Sequence, residues 1–152
     1  MTNKIDSALQ QAEQKCHASG GRLTHKRRFI LELLLENSEP QSAYEISSLY
    51  QQKSGDKIPA MSVYRMLGFL MEQGLVHKLT STNKFLACAH ITCHHRHQTP
   101  QFLICDNCHS VNEIGIDSRL ILELEKSINA SHFQLNSPQL ELHGLCKNCQ
   151  TN

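Results

Sequence analysis

Two Cys-x2-Cys pairs, Cys105 with Cys108 and Cys146 with Cys149, bracket one segment near the end of a 152-residue chain. Two residues between thiols let one tight turn aim both sulfurs at one ion. Two such turns complete a tetrahedral four-sulfur shell, the donor set of a closed structural zinc site. The bracketed segment reads as strands "QFLIC" and "SVNEI", a helix "SRLILELEKSINA" and a strand "QLELHG". Leu120, Ile121, Leu124 and Ile128 recur at helical spacing, giving that helix one apolar face. The segment is longer than a zinc ribbon would need, but loop-closure cost grows only logarithmically with length. Four unrelated thiols, or a redox pair, would have no reason to bracket an α/β unit. A four-sulfur shell has no open position, so it holds a domain together and does not catalyse. In a domain this small the metal supplies much of the stability.

The chain carries seven cysteines, and its first residues, "MTNKIDSALQQAEQKC", are polar and helix-periodic, with neither a signal-peptide core nor a spanning segment. Thiols without a secretory signal read as metal ligands or redox thiols and not as a disulfide framework, so a cytoplasmic protein is expected. Cys16 falls on the apolar face of the first helix with Ile5, Leu9 and Ala12, and Cys93 is expected to be an exposed bystander.

The first half reads as helices. Gly20 and Gly21 stop the first, Thr24 caps a second through "HKRRFILELLLEN", and Ser42 with Glu45 is a capping-box pattern opening a third. Pro59 precedes a fourth, in which Val63, Leu67, Leu70 and Met71 form a stripe, and Gly74 ends it. The period then changes to the short strands "LVHKL" and "KFLAC" around "STN". Helices followed by a hairpin give the order of a winged helix-turn-helix, with the fourth helix as recognition helix and the hairpin as wing. The expected class is α+β, with a winged-helix domain over residues 1–87, a hinge over 88–98 that carries metal ligands, and a small α/β domain over 99–152. The net charge of +1 excludes polyanion binding over the whole surface, but "RLTHKRR" holds four Lys/Arg and no acid, enough for a phosphate-contacting patch. On the fourth helix Met61, Arg65, Gly68 and Glu72 lie opposite the Val63 stripe, where Arg65 would face a DNA groove or plain solvent.

The hairpin implies a second metal centre. If Thr82 and Asn83 form a two-residue turn, facing residue numbers sum to 165, and His77 faces Cys88 with Cβ atoms roughly 4.5 to 5.5 Å apart. Further ligands are at hand in His94, His95 and His97 and in Glu113. A set of His, Cys, His and Glu favours zinc over hard, oxygen-seeking ions. Since Glu113 belongs to the second half, an ion held by all four would link the two halves, the arrangement expected of a sensor.

Together "RLTHKRR", "PAMSVYRMLGFLMEQGLVHK", "CDNCHSVNE" and "LHGLCKNC" resemble the ferric uptake regulator family of metal-dependent DNA-binding repressors. The resemblance runs from about Arg22 to Cys149 and points to the zinc-sensing branch. Cys88 is one sign of it, and the run "HHRH" has Arg96 where the iron-sensing branch carries a carboxylate. It implies a homodimer with two zinc ions per subunit. Cys105, Cys108, Cys146 and Cys149 match the structural ligands. His77, Cys88, Glu113 and His97 match the regulatory ones, with His95 as the alternative to His97. Tyr44 and Arg65 match residues that read bases, and Tyr64 and Arg22 residues that meet backbone phosphates. Departures are His25, where the family usually has proline, and Ser137 with Pro138, where many relatives place a histidine. The implied function is a zinc-responsive repressor of zinc-uptake genes that binds double-stranded operator DNA, without a membrane or small-molecule partner. A peroxide-responsive or an iron- or manganese-responsive regulator of the same family is the alternative. An enzyme is not expected: the His-x-Glu and Pro-Cys-x-x-Cys of zinc deaminases are both missing.

Overall fold

Side-chain caps at Thr24 and Ser42 start two helices where the sequence places them. The computed structural model describes residues 2–93 and 100–151, and the chain divides into two compact units, Met1–Cys93 and His94–Asn152.

The first unit holds α1 (Thr2–Ala18), α2 (His25–Glu36), α3 (Ala43–Ser54) and α4 (Ala60–Glu72), then the strands β1 (Val76–Leu79) and β2 (Lys84–Ala87). The Thr24 hydroxyl accepts from the Arg27 amide at the start of α2. At α3 the full capping box forms: Ser42 Oγ accepts from the Glu45 amide and Glu45 Oε2 accepts from the Ser42 amide. These bonds satisfy amides that a helix start leaves without partners. Gly55 ends α3 in the left-handed region, with φ of 81°.

The core is where the helical spacing puts it. Leu9, Ala12 and Cys16 of α1, Ile30, Leu31, Leu33 and Leu34 of α2, Ile46 of α3, and Val63, Leu67 and Leu70 of α4 are buried together. Each large aliphatic side chain so buried contributes roughly 1.5 to 3 kcal/mol. Met71 departs from the expected stripe, being 38% exposed. It lies about 80° around the helix from Val63, at the edge of the buried face.

The hairpin differs from its expected register. Val76 pairs with Ala87, His77 with Leu86 and Leu79 with Lys84, leaving a four-residue loop, Thr80 to Asn83. Facing numbers therefore sum to 163, two less than expected. A two-residue type I′ turn needs positive φ at both central positions, which a β-branched Thr82 resists, and in this loop only Asn83, at 53°, adopts it. A single bridge joins Gln41, just before α3, to Phe85 and adds a third element to the wing sheet.

The second unit holds β3 (Gln101–Cys105), β4 (Val111–Ile114), α5 (Ser118–Ala130), β5 (Glu141–Gly144) and a short α6 (Lys147–Gln150) that the residue pattern had not suggested. The sheet order is β4-β3-β5, antiparallel on the first side and parallel on the second. The antiparallel pair is closed by the turn carrying Cys105 and Cys108, and the parallel strand returns through α5. Gln101, fully buried, donates to the Pro138 carbonyl and accepts from the Leu140 amide, which ties the approach to β5 against β3. The expected apolar face of α5 is present but only partly covered among the described residues: Leu120 is 63% exposed, Ile121, Leu124 and Ile128 are half-buried, and no α5 residue is fully buried. Leu103 and Leu142, paired across β3 and β5, are also exposed.

Candidate metal centre

The two thiol pairs meet at the end of β3. Cys105 closes that strand, Cys108 follows in its turn, and Cys146 and Cys149 flank the start of α6 beyond β5. Their four sulfurs lie within 4.8 Å of one another, and Cys108 Sγ is 3.7 Å from Cys146 Sγ. With zinc–sulfur bonds of 2.3 Å, the edge of a tetrahedral four-sulfur shell is about 3.8 Å. All seven cysteines are free thiols, so this separation is a non-bonded contact that one ion would fit.

Backbone and side chains prepare the sulfurs for a cation. The amide of Cys146 donates to Cys105 Sγ, and amides from the Cys108 turn and from Cys146 bring the Cys105 thiol down to about 6. Contacts from the hydroxyl and amide of Ser110 lower Cys108. The Asn107 amide donates to Cys149 Sγ and lowers it, but the thiols of Cys146, Cys105 and Cys108 outweigh that and push Cys149 up to about 11. Crowded thiols oppose one another's ionisation, which is why Cys149 moves in the opposite direction to Cys105 and Cys108. Asn107 and Ser110 escaped the reading of the sequence, although the polar positions within and just after a Cys-x2-Cys turn are where such donors fall.

The second pair lies in the first unit. Ligand atoms of His77, on β1, and Cys88, just after β2, lie within 4.8 Å of one another. They are not directly opposite: His77 faces Leu86, and the Cys88 amide bonds to the Leu75 carbonyl. A register shift of two residues keeps the face unchanged, so the expected neighbours become diagonal ones and the imidazole spans the difference. Cys88 is buried, and Nε2 of His77 is buried as well. Glu113 is half-buried on β4, where it pairs with Phe102. His94, His95 and His97 lie outside the described residues.

The ferric uptake regulator family matches residues 18–143. The zinc uptake regulation protein of Escherichia coli (strain K12) is 35% identical over 142 residues, covering 93% of this chain and 80% of that protein. The chain belongs to the ferric uptake regulator family. A solved zinc uptake regulator complexed with zinc and DNA superposes with a TM-score of 0.83 at 31% identity, covering 97% of this chain and 95% of that one. Holo XcZur superposes with a TM-score of 0.80 at 37% identity, covering 95% and 97%. The winged helix and the small α/β unit are thus the fold of this family.

The four residues expected from the sequence to meet DNA lie in the first unit. Tyr44, in the first turn of α3, is 69% exposed, and Met61 on α4 is 66% exposed. Arg65, one turn beyond Met61, is exposed too, and so is Arg22, whose carbonyl accepts from the Arg27 guanidinium. Tyr64 is half-buried, with its ring edge-on to Phe85. His25, at the family's usual proline position, is the first residue of α2 and leaves the Thr24 cap intact.

Proposed function

We propose that this chain is a zinc-responsive transcriptional repressor that binds double-stranded operator DNA as a homodimer, and that it is not an enzyme. The carrying observation is the His77–Cys88 pair, a nitrogen and a sulfur held within 4.8 Å on the wing. That donor pair is soft enough to select zinc over iron or manganese. The similarity to zinc uptake regulators, one of them solved with zinc and DNA, points the same way.

Each subunit binds two zinc ions. Cys105, Cys108, Cys146 and Cys149 hold the structural one. His77, Cys88, Glu113 and His97, or His95 in its place, hold the regulatory one. Residues 1–87 act as the DNA-binding domain, 88–98 as a ligand-bearing hinge and 99–152 as the dimerisation domain. The division of the chain at 93/94 falls inside that hinge. The uncovered apolar side chains Leu103, Leu120, Leu122 and Leu142 support dimerisation through the second unit. Tyr44 and Arg65 read bases, and Tyr64 and Arg22 meet phosphates. The protein works in the cytoplasm, in keeping with cysteines grouped as metal ligands; no helix among the described residues is long and apolar enough to cross a membrane.

Zinc at the regulatory site selects the arrangement that fits two half-sites. Moving such an equilibrium from 1:99 to 99:1 takes about 5.5 kcal/mol of differential binding. A four-ligand protein site can supply this, since structural zinc binding runs to about 10 to 16 kcal/mol. The four-thiol centre is not the signal, because a site needed for folding is already full.

The test is DNA binding against buffered free zinc, for the wild type and Cys88→Ser, with bound zinc counted and the DNA selected by the protein from a random pool. Cys88→Ser should lose zinc-dependent binding while keeping the zinc of its four-thiol centre. Normal zinc-dependent binding by Cys88→Ser, or activation of the wild type by iron at lower free concentration than zinc, would overturn the reading.

A further inference from the structure

We infer that His90 and Cys93 form a third, accessory zinc-binding pair, separate from the four-thiol centre and from His77 and Cys88. The two residues close a turn just after the wing, where the Cys93 amide donates to the His90 carbonyl at 3.1 Å. That turn brings His90 Nδ1 to 3.7 Å from Cys93 Sγ. With zinc–nitrogen bonds of 2.0 to 2.1 Å and zinc–sulfur bonds of 2.3 Å, the nitrogen–sulfur edge of a tetrahedral shell is about 3.6 Å. The pair therefore already has the spacing of two adjacent ligands on one ion, as Cys108 and Cys146 do.

Three features make this more than a chance contact. Ile91, between the two residues, is 2% exposed and buried in the helical core, so the turn is anchored. Both His90 and Cys93 are half-buried, which leaves a bound ion room for water in its remaining positions. An imidazole with a thiolate is a donor pair that prefers zinc to hard cations. With two protein ligands in place of four, the site fills after the other two and exchanges its ion more readily. It also lies one hydrogen bond from the wing pair, because the His90 amide donates to Cys88 Sγ at 3.4 Å. Occupancy at His90 thus bears on the sulfur of Cys88 through a single amide, and a hydrogen bond to a ligand atom tunes its affinity for metal.

The inference needs neither DNA binding nor a regulatory role for Cys88, and the test keeps these apart. The full-length protein is loaded with two equivalents of zinc per chain, and cobalt(II) is added as a third while the thiolate-to-cobalt charge-transfer absorption is followed. The wild type should develop this band, and Cys93→Ser and His90→Asn should each lack it while retaining the preloaded zinc. Cys88→Ser, loaded only with the one zinc of its four-thiol centre, should still develop a band that a further Cys93→Ser removes. If the wild type gives no band at the third equivalent, there is no accessory site. A band that survives His90→Asn would mean that Cys93 binds without His90, and the pair would be wrong. A contact that is only an S–H···N hydrogen bond leaves the titration unchanged by both substitutions, which equally overturns the inference.

Discussion

His77 and Cys88 place a ring nitrogen and a sulfur within 4.8 Å of one another from diagonal positions across the wing, with Leu86 and Leu75 as their respective cross-strand neighbours. The pair therefore depends on the imidazole reaching along the sheet, and a shorter side chain cannot replace it. His77→Ala should lower bound zinc by one per chain, as Cys88→Ser should, and leave the four-thiol zinc in place. Elemental analysis after gel filtration in buffered zinc checks this. A His77→Ala protein that keeps the wild-type count would detach His77 from the metal.

The four-thiol centre should be needed by the second unit alone. Among the described residues its sheet has a small buried set, Gln101, Phe102, Ile104 and Cys105, whereas the first unit has a much larger core built on four helices. Cys146→Ser, or stripping with a strong chelator, removes a contribution on the order of 10 kcal/mol from the second unit. The expected result is protease cleavage within residues 100–151 while residues 2–93 survive as a fragment. Equal protection of both units after metal removal would show that the thiols are not structural.

What was legible in the sequence is what local chemistry determines. The Thr24 cap, the Ser42–Glu45 box and the Cys-x2-Cys turns each act within four residues, so their residues carry the whole signal. The Val63, Leu67, Leu70 stripe is legible because periodicity needs only one core to face. The wing register was missed because it turns on which loop residue takes a positive φ, and Asn83 alone does so. The Gln41 bridge is one residue long and has no period to read. The Leu120 and Leu122 side chains show the reverse limit: their pattern is helical, but whether anything covers them is not a property of one chain. Cys93 looked idle because only the turn at His90 gives it a neighbour.

Glu45 should make the first unit sensitive to acid. The backbone amide of Ser42, with its hydroxyl and Lys84, outweighs burial and holds the Glu45 carboxyl below its ordinary value of 4.5. A depressed carboxyl contributes stability that is complete above that ordinary value and is lost as pH falls through the lower folded value. Ser42→Ala should cost about 1 kcal/mol at neutral pH through loss of the cap. Glu45→Gln should narrow the stability difference between pH 7 and pH 3, because the uncharged amide has no proton to gain. Urea unfolding at several pH values reads both, and parallel pH curves for wild type and Glu45→Gln would remove Glu45 from the account.

Arg65 and Arg22 should fail in different ways if one reads a base and the other a phosphate. Arg65 stands on the exposed face of α4 one turn from Met61, where its guanidinium fork can meet a guanine edge in the major groove. Arg22 precedes α2, and its own carbonyl holds the Arg27 side chain. Arg65→Ala should cost about 1 to 3 kcal/mol on the preferred sequence and relax discrimination at one base pair. Arg22→Ala should weaken all sequences alike and make the dependence of log K on log salt shallower by about one. Binding measured on the selected DNA and its single-base variants, each at several salt concentrations, separates the two. If Arg65→Ala instead lowers the salt slope and keeps its base preference, Arg65 contacts phosphate, and base reading on α4 falls to another residue.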